Sequence, residues 1–484
     1  MEADYVVVGA GSAGCVLAAR LSEDPGTSVL LLEAGGQDRR REIRIPAAFS
    51  RLYRSEVDWG FATTPQTRLD DRELVFPRGK VVGGSASINA QIALRGRRAD
   101  YDAWNVPGWS WQEVLPYFER SVGEFALEPQ RDPNPLTRAF LDAAVEVGIP
   151  RADDLNAPEP EGAALLAVNQ RRGRRWSVAD GYLRPALRRP NLRVVTDAHA
   201  TRVLLDGDRA TGVERGAERI VARREVVLCA GAIGSPHLLL LSGIDPPGVG
   251  RNMQDHLAGG VLATSTSTRT LFAAESPTNV LRYLLLRRGL LTSNVGEAAA
   301  LVRTRAELEA PDLELLFAPV LFLDEGLTPP PEHGLTIAAI GLQPESRGSV
   351  TLRSSDPFEP PLIDPAYLSD ERDVQVLLAG ARLARRLLGT AALAPHVRAE
   401  LLPGPDAQSD EELLAAMRAK AQTLYHPVGT CALGTVVDPE LRVRGVAGLR
   451  VADASVIPRI PRGHTNWPTV MVAEKAADLL RRSA

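Results

Sequence analysis

Three stretches of the sequence predict an α/β chain organised around a βαβ unit. Residues 4–8, "DYVVV", form the short β-branched run that a buried parallel strand requires. "GAGSAG" follows, giving Gly9-x-Gly11-x-x-Gly14, and "CVLAARLSED" continues at helical spacing. "SVLLLEAG" (residues 28–35) then supplies a second strand ending at Glu33. Together they make a dinucleotide fingerprint. The glycines permit a tight turn and close approach of backbone to a pyrophosphate, whose charge meets the helix N-terminus. Glu33 can accept hydrogen bonds from a ribose. This unit alone does not separate NAD from FAD.

The remaining organisation follows from length and composition. A chain of 484 residues exceeds one ordinary core, and two or three domains are expected. With 44% hydrophobic and 24% charged residues it reads as an ordinary globular protein. A net charge of −4 gives no reason to expect a nucleic-acid partner. Cys15, Cys229 and Cys431 are scattered, which argues against a disulfide framework or a zinc site and fits a reducing, cytoplasmic setting. The strand at residue 4 leaves no room for a leader peptide, and no run is long enough to span a membrane. "NVLRYLLLRRGLL" (residues 279–291) is apolar but cut by three arginines; the expectation is a helix packed on its own core, with at most a peripheral membrane contact. "NLRVVTDAHATRVLLDGDRATGVERG" reads as strands with turns at Gly207 and Gly216. "EVVLCAGAIGSP" reads as a buried strand entering a helix with Pro236 in its first turn, and residues 370–388 as an amphipathic helix backing a sheet.

A second glycine-rich loop, "GKVVGGSASIN" (residues 79–89), makes sense if a long cofactor is touched at two places. This segment resembles the first signature of the glucose-methanol-choline (GMC) oxidoreductases, which bind FAD permanently. "GAIGSPHLLLLSGI" (231–244) resembles the second signature. "RNMQDH" (251–256), "NVGEAAALVRT" (294–304), "RGSVTLRSSDPFEPPLIDPAYLSDERD" (347–373), "YHPVGT" (425–430) and "LRVADASVIP" (449–458) follow in the family's order, so the likeness covers nearly the whole chain. It implies a Rossmann-type FAD-binding domain with an inserted α+β substrate domain. The FAD-binding part would comprise residues 1–95, 190–256 and 420–484, and the substrate-binding part 96–189 and 257–419. The cofactor would be held by Gly9, Gly11, Ser12, Ala13, Gly14, Glu33, Ala34, Val82, Gly83, Ser87, Asn89, Val203, Asp453, Ala454, Asn466, Trp467 and Thr469. Ile88 stands where some members carry a flavin-linked histidine, so FAD is expected to be non-covalent. Ala86 replaces a small hydroxyl residue or glycine, the link between "LSGID" and "GVGRN" is short, and Trp467 replaces a small residue. At Trp467 an indole would either shape the flavin pocket or fill the core.

Oxidising an alcohol requires a hydride acceptor for the carbon and a base for the hydroxyl proton. A neutral histidine suits the second task, and a neighbouring hydrogen-bonding group can orient the oxygen. The family resemblance assigns these roles to His426, in "HPVGT", and to His464, ten residues before Glu474. His199, His237, His333 and His396 are expected to be ordinary surface or hydrogen-bonded residues, and His256 to be structural. No HxxxH or HExxH spacing occurs, so no metal is expected. The implied activity is FAD-dependent alcohol oxidation, with a small alcohol or a reduced redox cofactor as substrate and a quinone or the respiratory chain receiving electrons. The compact length and "HTNWPT" ending look most like the branch associated with the redox peptide mycofactocin. The alternatives are a choline-like or primary-alcohol dehydrogenase or oxidase, and a lyase that keeps FAD without redox turnover.

Overall fold

The computed structural model describes residues 1–482. Two seven-stranded sheets dominate it. In the first, Glu2–Val8 lies between Val29–Leu32 and Glu218–Leu228 and pairs in parallel with both. Val6, Val7 and Leu31 are wholly buried there, as the unbroken apolar runs require. Leu192–Val195 extends the sheet on one side, the antiparallel strands Arg202–Asp206 and Arg209–Arg215 on the other, and Leu449–Val451 pairs in parallel with Glu218–Leu228. The Ser12–Leu21 helix, buried along nearly its whole length, packs against the closing helix Asn466–Arg482. Fully buried Glu474 anchors that contact, accepting hydrogen bonds from Arg20 and the Tyr182 hydroxyl and pairing with Arg120.

The second sheet is antiparallel, running Val397–Leu402, Leu257–Ser265, Gly334–Gly341, Leu313–Ala318, Ala298–Val302 and Gly162–Leu165, with Gln422–Thr423 added beside Leu257. The Glu371–Leu388 helix backs it, as its apolar spacing predicts, and Gly380 lets it approach so closely that a Cβ there would lie 2.5 Å from Ala339. Alternation along Leu313–Ala318 turns Leu313, Leu315 and Phe317 into the apolar core beneath that helix. Glu314 and Leu316 face the other way. After contributing Gly162–Leu165, the chain re-enters this sheet at Leu257, immediately after Gln254-Asp255-His256, and leaves it at Thr423, immediately before the loop of His426. The two crossings lie side by side.

Two local expectations need correction. The helix containing Pro236 begins at Gly231, so the proline sits in its interior rather than its first turn. A proline leaves the carbonyl four residues earlier without its helical donor. Here that carbonyl, on Ala232, accepts the Thr430 hydroxyl at 2.7 Å instead. The second correction concerns Pro277–Leu286. It is helical, but only Tyr283 is buried, and its leucines face outward rather than into a core. No helix among the described residues is long and apolar enough to cross a membrane.

Candidate active site

The fingerprint loop and the second glycine loop are built against each other. Gly9 has φ +100°, and a Cβ on Gly14 would fall 1.8 Å from the Gly9 carbonyl oxygen. Gly84, at φ +52°, meets Gly11 so closely that its own Cβ would lie 2.6 Å from the Gly11 Cα. At Gly11 a Cβ would meet nothing closer than the Cys229 carbonyl oxygen at 3.9 Å, and there is no side chain to cap the first amides of the Ser12–Leu21 helix. That is a cradle for an anion. Gly14→Ala is therefore expected to destabilise the fold by roughly 1–3 kcal/mol, read from urea unfolding, because turn and helix must separate to admit the methyl group.

A cavity of about 510 Å³ runs from this cradle to the histidines. Gly9, Gly11, Ser12, Ala13, Glu33, Ala34, Asn89, Asp453, Ala454, Asn466 and Thr469 line it, together with His426 and His464. Gly14, Val82, Gly83, Ser87, Val203 and Trp467 are not among the lining residues. Val82 and Gly83 instead bond the loop to its surroundings, through Val82 N to Gly36 O and Gly83 N to Ala10 O, while the Ser87 hydroxyl donates to Val82 O. Val203 is buried within its strand. Trp467 stacks on Phe125 at 5.3 Å, meets Phe118 edge-on and donates to the Ser121 hydroxyl at 2.8 Å, so it fills the core rather than shaping the pocket. His199 and His237, expected to be ordinary, line the cavity near Glu33 with Trp59 and Phe358.

The polar walls are tied to the backbone. Glu33 accepts from the amides of Ala10 and Gly35 at 2.8 Å each, yet burial pushes its carboxyl up to about 7. Asp453 ties its own turn to the Gly231–Leu241 helix, accepting from Gly231 N, Ser235 Oγ and Ser455 N, and burial raises its pKa. The Ser12 hydroxyl donates to Asn466 Oδ1 at 2.6 Å, fastening the fingerprint loop to the closing helix.

At the other end His426 and His464 stand with ring centroids 4.5 Å apart. The "QDH" stretch holds the first of them. Gln254 and Val428 exchange backbone hydrogen bonds, and His256 O accepts from Leu424 N. Asp255 Oδ1 accepts from His426 N at 2.6 Å, while Oδ2 takes the Thr423 and Tyr367 hydroxyls. Burial raises this carboxyl to about 6. Tyr425 adopts φ +65°, a strained conformation that these bonds and Arg78 Nη2, donating to Tyr425 O, hold in place.

His256 decides which nitrogen of His426 carries the proton. Its Nε2 lies 3.1 Å from the Leu342 carbonyl, which can only accept, so Nε2 is the protonated nitrogen. The neutral ring then offers a lone pair at Nδ1, and His426 Nδ1, 3.1 Å away, must donate to it. That leaves the His426 lone pair on Nε2. Burial, and then the charges of neighbouring histidines, push His256 down to about 3 and His426 well below the usual imidazole range. Both therefore stay neutral. His464 differs: its Nε2 is 3.3 Å from Glu314 Oε1, and Oε2 of that buried side chain has no hydrogen-bond partner among the described residues. Glu314 thus holds His464 through Nε2, whereas His426 is held through Nδ1 by neutral His256. The expectation that His256 is only structural becomes more specific, and Glu314 was missed altogether. Its signal was a lone carboxylate inside the apolar run "LELLFA".

Among the described residues no cluster of His, Cys, Asp and Glu could hold a metal ion. Family models described as GMC oxidoreductase match residues 3–258 and 344–473. An uncharacterized GMC-type oxidoreductase of Mycobacterium tuberculosis is 50% identical over 99% of both chains. The alcohol dehydrogenase [acceptor] of Pseudomonas putida is 39% identical, covering 99% of this chain and 96% of its own. The oxygen-dependent choline dehydrogenase of Brucella canis is 41% identical, covering 99% and 95%. Among solved structures, pyridoxine 4-oxidase from Mesorbium loti superposes with TM-score 0.89 at 30% identity, covering 98% of each chain. Formate oxidase of Aspergillus oryzae gives 0.92 at 27%, covering 100% of this chain and 98% of its own. With the two glycine loops, the cavity and the paired histidines in place, the chain belongs to the GMC oxidoreductase family.

Proposed function

We propose that this protein is an FAD-dependent alcohol dehydrogenase in which His426 is the base. The carrying observation is the His256–His426 hydrogen bond, which leaves a neutral lone pair on Nε2 of a ring that lines the cavity. The residues present fit the cofactor: an uncapped helix terminus for pyrophosphate, Glu33 for a ribose, and the second glycine loop with Asn89, Asp453 and Asn466 further along. FAD, when bound, supplies the acceptor for the hydride that leaves the alcohol carbon. Ile88, buried and without a nucleophilic atom, supports non-covalent attachment. His426 Nε2 takes the hydroxyl proton, and His464, held through Nε2 by Glu314 Oε1, orients the alcohol oxygen beside it. Glu314→Gln replaces the carboxyl group that holds His464 and is expected to slow flavin reduction about tenfold or more, with flavin content unchanged.

The cavity also suits an apolar or aromatic alcohol, because Phe49, Tyr53, Leu316 and Phe322 line it. Reduced mycofactocin, a phenol-like alcohol, is the finer reading that the compact chain supports; a simple primary alcohol is the alternative. A quinone or the respiratory chain is the proposed electron acceptor. Anaerobic addition of an alcohol panel to the purified flavoprotein tests these readings. Bleaching by aromatic or long-chain alcohols, followed by faster re-oxidation with a quinone than with air, is the expected result. Product formation without bleaching would favour a lyase.

A further inference from the structure

The Pro277–Leu286 helix presents an apolar stripe to solvent. Leu281, Leu284 and Leu285, one turn apart on a single face, are 57%, 58% and 72% exposed, and Leu286 at the helix end is 62% exposed. Large apolar side chains placed this way cost solubility unless something covers them. The helix is nonetheless anchored, because buried Tyr283 donates to Arg44 O at 3.2 Å. The surroundings are basic. Arg282, Arg287 and Arg288 lie on or just after the helix, and Arg287 stacks on Tyr283. A neighbouring depression is lined by Arg171, Arg172 and Arg174, with Glu128 and Asp180 also in its wall, and Arg174 acts electrostatically on Tyr283. Arg288 is paired with Asp132, whereas Arg172, Arg174, Arg282 and Arg287 form no ion pair among the described residues. In a chain of net charge −4 this is a local excess of positive charge around leucines.

We propose that this face docks on the surface of an anionic lipid bilayer, leucines entering the headgroup boundary and arginines meeting lipid phosphates. The helix is too short to span a membrane and has the form of one lying in the interface. A second copy of the chain fits less well, since a two-fold contact through this stripe would set the unpaired arginines of both copies against each other. The inference does not depend on the alcohol-oxidising reading. It does place the bilayer next to residues 46–52, which pack against the segment following this helix and include Phe49 of the cavity wall.

Co-sedimentation of the holoprotein with large unilamellar vesicles tests the proposal, with phosphatidylcholine alone compared with phosphatidylcholine containing phosphatidylglycerol. Binding to the anionic vesicles that weakens with salt is expected. The triple variant Leu281→Gln, Leu284→Gln, Leu285→Gln should lower that binding about tenfold or more, while alcohol-dependent flavin reduction in solution stays unchanged and shows an intact fold. Arg282→Gln with Arg287→Gln should weaken binding to anionic vesicles only. Failure of the native protein to bind anionic vesicles at low salt would overturn the proposal, as would binding insensitive to the leucine substitutions. A native dimer that the triple variant converts to monomer in sedimentation velocity would assign the face to a second copy instead.

Discussion

His426→Ala is expected to keep its flavin and to lose roughly a hundred- to ten-thousand-fold in the rate of flavin reduction by alcohol. The two halves of that result come from different parts of the molecule. Residues fitted to the cofactor belong to the glycine loops, Glu33 and Asp453, and none of them bonds to the His426 ring. The ring carries a lone pair on Nε2 whose position is fixed by a neutral partner, His256. Its pH dependence carries the same information. A base works deprotonated, so the rate is full above its pKa and falls as pH drops through it. Burial, and then the charges of His464 and His256, hold His426 well below the ordinary imidazole value. Flavin reduction should therefore be flat from about pH 6.5 to 8 and decline only in more acidic solution. Stopped-flow absorbance under anaerobic conditions measures both.

His256→Leu is the second large effect: flavin reduction is expected to fall about ten- to a hundredfold, with little change in KM. Leucine fills the space but cannot accept from His426 Nδ1, so the ring is free to place its proton on Nε2, where it cannot act as a base. His256→Asn should recover much of the rate, since its amide oxygen can occupy the accepting position. A purely structural role would show as a loss of melting temperature without rescue of rate by Asn. Equal rates in the Leu and Asn variants would remove His256 from the proton-handling apparatus.

How much of this was legible in the sequence differs by feature. The βαβ unit was readable because its constraints are local: glycine where backbone meets backbone, and β-branched residues in a strand buried on both faces. His426 and His464 were found from motif position, and the structure brings their rings together. Glu314 was hidden because its importance comes from strand pairing, which alone decides that its side of the sheet faces His464. Trp467 misled for the opposite reason. It follows directly on Asn466, which lines the cavity, but one residue is about a hundred degrees of helix, enough to turn the indole onto Phe118 and Phe125. The leucines of residues 281–286 read as core because apolar spacing says nothing about whether a partner surface exists. Pro236 sits inside its helix because the distant Thr430 hydroxyl repairs the missing bond.

The central claim is that this chain removes a proton and a hydride from an alcohol with a neutral His426 as base. It is tested most directly by anaerobic flavin reduction with an aromatic alcohol and its counterpart deuterated at the reacting carbon, followed across pH. The account predicts bleaching that is slower with deuterium, flat through neutral pH, and nearly abolished in His426→Ala with flavin retained. Full-rate bleaching in that variant, or product formed while the flavin stays oxidised, would contradict it.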